Sequence, residues 1–350
     1  MPATRRRLLT ASIGLAMPSI RLARAARRSL TFAAPGGLFQ ELYEPAVVDQ
    51  FGRAHRDIDV FYYAVPSSTQ ALSVLRRQRE QPEIDVVVLE FAAARAATDE
   101  GLLEAMPSGS LPVQADLAPF ATLPGIAGRA VFTEPLVMLF DRVHVHPPSS
   151  WKTLWSGLDE QSIAVPAPPD PAGIAFTVVA GRLFGGGDEQ RAATDGVTAI
   201  GELAASVTSW DPRPDVYHCV GDGTARLGVG WNMPAQLLSD RLGGRLGVAF
   251  PAEGTISRIM TVNLVKRSRQ PDAARLFIAY LLDIEAQKAM VERMYLGPVN
   301  ARARYPEGAL LRTANTPERA ATAMPVDWLA INAIRDDIIR RWREVIPGSG

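Results

Sequence analysis

The sequence predicts an α/β protein built as two lobes joined by two crossover segments, and three observations carry that expectation. Strand-like runs at residues 29–34, 58–65 and 84–89 alternate with helix-like stretches from Leu38, Ser68 and Phe91, the order of a parallel sheet. The apolar run at residues 130–141 is interrupted by Pro135. A proline inside such a run marks an edge or a crossover, so this run reads as the first passage between lobes. A second α/β unit begins after His146, and the run at residues 246–250 reads as the passage back.

The 350 residues leave room for about two domains of roughly 100 to 200 residues each. With 47% hydrophobic and 21% charged residues the chain is neither disordered nor collagen-like. It holds no uncharged apolar stretch of the roughly 18 residues that a membrane span needs. The single cysteine, Cys219, excludes an internal disulfide and a Cys-x-x-Cys zinc framework. A net charge of zero gives a nucleic-acid-binding surface no support.

That neutral total conceals a basic leader. Residues 1–25 carry Arg5, Arg6, Arg7, Arg21 and Arg24 and no acid, followed in part by an apolar run at 8–20 and closed by Ala23-Arg24-Ala25, the pattern of an export signal with its cleavage site. Thr4-Arg5-Arg6-Arg7-Leu8-Leu9 resembles the twin-arginine class. Removing the segment leaves 32 basic residues against 37 acidic ones, so the mature chain is expected to be exported to the periplasm with a net charge of about −5.

In chain order, the first helix shows a stripe of Leu38, Leu42, Ala46, Val47 and Phe51 that Pro45 kinks or interrupts. Prolines at 107, 112, 119 and 124 mark irregular chain before the first crossover. The second unit is read as a short helix near Trp151, a strand at 162–166, a helix opening near Ala172, a helix at 190–205 and a strand at 226–231. Pro271 starts a helix, Asp283 caps the next, and a final amphipathic helix carries Trp328, Ile331, Ile334, Ile338 and Trp342.

With these elements placed, the chain resembles the bacterial extracellular solute-binding proteins of ABC importers, in particular the polyamine-type branch. The resemblance rests on Gly36-Gly37-x-x-Gln40 with Pro45 and Phe51, Ser150-Trp151-Lys152-Thr153-Leu154-Trp155, Ile163-Ala164-Val165-Pro166, Pro251-Ala252-Glu253-Gly254, Glu285-Ala286-Gln287 and Gly297-Pro298-Val299-Asn300, in order. It implies a type II periplasmic-binding-protein fold, a small-molecule solute held between the lobes, an inner-membrane ABC permease as partner, and a monomer with no cofactor. By that likeness residues 29–133 with 251–298 form one lobe, and 134–250 with 299–346 the other.

Ligands of parallel α/β sheets sit beyond the carboxyl ends of the strands, which selects the candidate contacts. From the first lobe these are Gly36, Gly37 and Leu38, where a helix start offers free N–H groups; Ser67, Ser68 and Thr69, one of them the N-cap; and the acids Glu90 and Glu134. From the second lobe they are Ala172 and Gly173, resembling a loop that opens a helix toward the ligand, with Trp231 as aromatic wall and Asn232 as amide donor. Glu253 resembles the family's Pro-x-Glu-Gly turn. The polyamine binders' aromatic and acidic clamp is missing beyond it, where Arg258 and Met260 stand instead. An arginine there repels a polycation and offers a bidentate site for a carboxylate or phosphonate, so the ligand is expected to carry an anionic group.

Catalytic chemistry finds little support. Four histidines lack metal-ligand spacing, no Gly-x-Ser-x-Gly elbow is present, and Gly185-Gly186-Gly187 lacks the lysine of a phosphate loop. A non-catalytic solute receptor is the expectation, and a secreted enzyme on the same fold is the alternative.

Overall fold

The computed structural model describes residues 27–107, 109–156 and 162–348, so the export segment lies outside the described residues. Among the described residues the strands are β1 (Arg28–Pro35), β2 (Ile58–Val65), β3 (Val86–Glu90), β4 (Leu103–Glu104), β5 (Arg129–Asp141), β6 (Ile163–Ala164), β7 (Val207–Ser209), β8 (Leu227–Trp231), β9 (Leu246–Ala249) and β10 (Ser257–Val265). β1 lies parallel between β2 and β3, and β10 runs antiparallel between β3 and β5. β8 and β9 pair antiparallel with the far half of β5, and β6 joins β8 to β7 in parallel.

β5 is buried along its whole length and belongs to two sheets. Its residues up to Pro135 pair with β10, and from Leu136 they pair with β8. Pro135 stands at the change of partner, where a missing N–H removes least from the ladder. β9 pairs with Met138–Asp141 of β5 and therefore belongs to the second sheet. The expected return at residues 246–250 is thus displaced. The chain crosses back between Ala249 and Ser257, because β5 has a free edge for β9 to complete first.

Each sheet is apolar on both faces, because helices cover both faces. Successive side chains of a strand point to opposite sides, and the cores alternate accordingly. Leu30, Phe32, Val86 and Val88 join Tyr43, Phe51 and Phe277 on one face, while Ala33, Val87 and Leu89 join Leu72 and Leu75 on the other. In the second sheet Leu136 and Met138 meet Trp151, Phe176 and Trp342, whereas Val137 and Leu139 meet Val220 and Leu246. Ile256 packs in the second core and Val299 in the first.

Pro45 does not break the first helix. The chain passes from Leu38–Tyr43 through a π-helical stretch, Glu44–Val48, into Asp49–Ala54, and the wider turn absorbs the missing N–H while keeping Tyr43, Val47 and Phe51 buried. The final amphipathic stretch is two helices, Trp328–Ala333 and Arg335–Val345, separated at Ile334. Ile331, Ile338 and Trp342 are buried, and the Trp342 indole donates to Thr177 Oγ1 at 2.8 Å.

Candidate functional site

Strand register assembles the site from residues far apart in sequence. Arg258 of β10 stands opposite Glu134 of β5, Met260 stands opposite Glu90 at the end of β3, and Leu136 stands opposite Trp231 at the end of β8. Opposed and diagonal residues of paired strands lie within side-chain reach, and Glu90, Glu134, Trp231 and Arg258 come together where the two sheets meet, while Met260 and Leu136 turn into the cores.

Arg258 is the centre of the group. Its Nε and Nη2 donate to Glu134 Oε2 at 3.0 and 2.6 Å, and its Nη1 donates to Glu90 Oε1 at 3.2 Å. The guanidinium lies over the Trp231 ring, 4.4 Å from the centroid. Glu134, only 1% exposed, accepts a further bond at Oε1 from the Met233 N–H in the first turn of helix Asn232–Arg241, at 2.9 Å. Burial disfavours the charged guanidinium, but Glu134 and Glu90 outweigh it and hold Arg258 more firmly protonated than a free arginine.

A groove of about 530 Å³, counting space open to solvent, runs along this cluster. Glu90, Phe91 and Arg258 line it from one side, Pro171, Ile174 and Trp231 from the other. Trp328, Ile331, Asn332 and Arg335 of the C-terminal helices close its flank. The Trp328 indole donates to the Ser257 carbonyl at 2.9 Å, and Arg335 Nη2 donates to the Pro169 carbonyl at 2.6 Å. A second hollow of about 700 Å³ shares Trp231 and is bounded by Asp170, Trp210, Asp215 and Tyr217. Desolvation raises the Asp170 carboxyl, opposed by the Ala172 N–H it caps and by the charges of Arg258 and Arg335. Desolvation and the nearby Glu134 charge push the Tyr217 phenol well up, so its hydroxyl stays neutral and accepts from the Trp231 N–H at 2.8 Å.

Of the sequence candidates, Glu90, Glu134, Trp231 and Arg258 come together here, and Ala172 lines the second hollow. Ser68 supports Glu90 by accepting its backbone N–H at 2.9 Å, while Ser67 is the N-cap of helix Ser68–Arg77. Thr69 contributes its carbonyl to Ser73 within that helix.

Other candidates serve the fold. Asn232 is fully buried and its amide is spent on the carbonyls of Tyr295 and Arg312 and on Gln236, so it is not a free donor. Glu253 accepts from the Ser150 hydroxyl and the Trp151 N–H, which ties the return segment to the turn at Trp151–Trp155 rather than facing the groove. Gly173 is a packing glycine, since a Cβ there would meet the Pro166 carbonyl at 2.3 Å. Gly36, Gly37 and Leu38 line neither hollow; Gly37 adopts φ 64° ahead of a helix of six residues, and Leu38 packs against the first core. The edge of Arg258 expected to grip a carboxylate is taken by Glu134, because cross-strand register places that acid beside it.

Sequence reasoning missed Trp328, Asn332 and Arg335 as walls of the groove. In the sequence Trp328, Ile331 and Arg335 fall at helical spacing, and a lone arginine on that otherwise apolar stripe was the available signal.

Two sheets with separate cores, a shared strand and a cleft between them define a bilobal α/β binding fold. The profile described as bacterial extracellular solute-binding protein matches residues 46–315, and the chain belongs to that family. It is similar in structure to an ABC transporter protein from Clostridium perfringens, with 19% identity, 91% and 99% of the two chains covered and TM-score 0.74. A substrate-binding protein from Bradyrhizobium japonicum gives 16%, 91% and 99%, and 0.76. The binding protein AfuA from Actinobacillus pleuropneumoniae, with exogenous fructose-6-phosphate bound, gives 18%, 91% and 98%, and 0.69. These structural likenesses, over nine-tenths of the chain, show the type II periplasmic-binding-protein fold. An uncharacterized Haemophilus influenzae protein is 29% identical over 166 residues, 47% of this chain and 45% of that one, so the match spans under half of the relative's length.

Proposed function

We propose that this protein is the exported solute receptor of an ABC importer, closing its two lobes on a small organic solute and delivering it unchanged to an inner-membrane permease. The observation that carries the reading is the cleft itself, with walls drawn from two separately cored sheets that share β5. Concave sites between lobes are where small ligands bind, and closure gains contacts made only when shut. The lobes are taken as residues 29–133 with 251–298 and 134–250 with 299–346, with Ile256 and Val299 crossing those lines to the opposite cores.

Family membership supports an exported protein that binds rather than transforms its solute. The protein acts as a monomer, exported through a twin-arginine signal over residues 1–25, so the mature chain is expected to begin at Ala26 by N-terminal sequencing. Relatives of the fold are described with ligands as different as fructose-6-phosphate and glucopine, so the solute class is decided by this chain's own cleft. Arg335 and the N–H groups of Arg258 beyond those given to Glu134 and Glu90 are its donors for an anionic group, while Glu90 and Asp170 are its acceptors.

Thermal-shift screening against amines, amino acids, opine-like conjugates, carboxylates and phosphonates tests the reading. A solute at 100 times its Kd raises stability by about 2.7 kcal/mol. The solute recovered from the complex has unchanged mass; turnover of the captured compound would replace the receptor reading with an enzymatic one.

A further inference from the structure

The Arg258 guanidinium has the surroundings of a bound cation. An indole face lies 4.4 Å from it, one carboxylate takes two of its N–H groups, and a second carboxylate takes another. An aromatic platform with flanking acids is the chemistry that recognises an organic ammonium or guanidinium. The three recognising side chains come from β3, β5 and β8, whereas the cation comes from β10. The seat is therefore built by one set of elements and filled by another.

We propose that Arg258 is a resident occupant of a cation seat formed by Trp231, Glu134 and Glu90, and so determines specificity by excluding solutes whose cationic head needs that seat. The inference rests on the reading of this cleft as the solute site. While Arg258 lies across Trp231, a diamine, guanidine or quaternary ammonium finds the ring face covered and the Glu134 carboxylate already paired. Glu134 is 1% exposed, so its charge cannot be left to water when Arg258 is removed. An unpaired buried carboxylate is strongly destabilising, and the vacated seat then favours a free cation of the same shape.

The arrangement also separates this cleft from one that is merely acidic. Met233 N–H fixes the second oxygen of Glu134, and the Ser68 hydroxyl accepts the Glu90 backbone N–H, so both acids are positioned by other elements when Arg258 is absent. Tyr217, through the Trp231 N–H, does the same for the aromatic platform.

The test uses the mature chain and the variants Arg258→Ala and Arg258→Gln, the second retaining an amide donor for Glu134. Ethylguanidinium chloride at low millimolar concentration is the probe; N-ethylurea is the neutral isostere, and sodium chloride controls for salt. Tm and tryptophan fluorescence are read for each. The expected result is no saturable response in the wild type, and a saturable rise in Tm in the variants with ethylguanidinium alone, at least about tenfold tighter than any wild-type response. Arg258→Ala/Glu134→Gln loses the response. If Arg258→Ala does not fold, Arg258→Gln carries the measurement, and ethylguanidinium is added during refolding of the alanine variant. Folded variants blind to ethylguanidinium, or a wild type that binds it equally well, overturn the proposal. A solute screen without a hit would fail the receptor reading while leaving this rescue measurable, so the two failures are distinguishable.

Discussion

Glu134 shows how a charge is kept inside a protein. Its carboxylate is 1% exposed, accepts from Arg258 on one oxygen and from the Met233 N–H on the other, and lies beside the neutral phenol of Tyr217. Removing one partner of a buried pair leaves the other charge uncompensated. Glu134→Ala is therefore expected to lower stability by about 3–5 kcal/mol in urea denaturation. Asp141 is a second buried acid, at the far end of β5. Bidentate bonding from Arg245 lowers its carboxyl well below the usual range against the cost of burial, with His144 and the Val143 N–H assisting. A depressed carboxyl stabilises the fold above its unfolded pKa of about 3.9 and loses that contribution as pH falls. Asp141→Asn is thus expected to cost about 2–4 kcal/mol at pH 7, and the gap between wild type and variant should narrow below about pH 4. Urea midpoints measured from pH 7 down to 3 check this; a gap independent of pH would refute it.

Among the elements, helices Pro171–Phe184 and Glu189–Gly201 pack backbone to backbone. A Cβ at Gly181 would lie 1.9 Å from the Ala192 carbonyl oxygen, and one at Gly196 would lie 2.0 Å from the Thr177 carbonyl oxygen. Backbone cannot move aside as a side chain can. Gly181→Ala and Gly196→Ala should each lower stability by about 1–3 kcal/mol, and more if the helices separate, as read by thermal unfolding. The same pair carries Trp342 through Thr177, so the near-ultraviolet circular dichroism of tryptophan should change with either substitution. Helix Trp328–Ala333 has a different duty, since it closes one flank of the groove and is anchored by the Trp328 indole on Ser257. Trp328→Ala is expected to weaken solute binding about tenfold or more while costing less stability than Trp342→Ala, because Trp342 is fully buried and Trp328 is not.

At the scale of the whole molecule, the chain passes between the two sheets along β5, at the return before Ser257 and after Val299. Arg241 donates to Glu41 across the lobes at 2.7 Å, and Arg312 stacks on Tyr295 while bonding Gln236 and Asp240. Solute binding is expected to reduce the radius of gyration in small-angle scattering; an unchanged radius with bound solute would argue against lobe closure. Much of this architecture was legible in the chain. Alternating apolar runs located β1, β2 and β3, Pro135 marked the change of sheet, and Pro271 and Asp283 marked helix starts, because each signal is local and repeats at the spacing of its own element. Expectations failed where the deciding partner was distant, as at β9, Asn232, Glu253 and the Arg258 edge. β9 joined the second sheet because β5 had an edge to offer, and Asn232 was consumed by carbonyls of residues 295 and 312. By itself the sequence determined the fold class and the main buried stripes, since periodicity needs no third dimension, and its ordered motifs carried the resemblance to the solute-binding family. Tertiary structure alone decided that Glu90, Glu134, Trp231 and Arg258 form one cluster and that Arg258 is already paired, because strand register and the meeting of two sheets are properties of the packed chain.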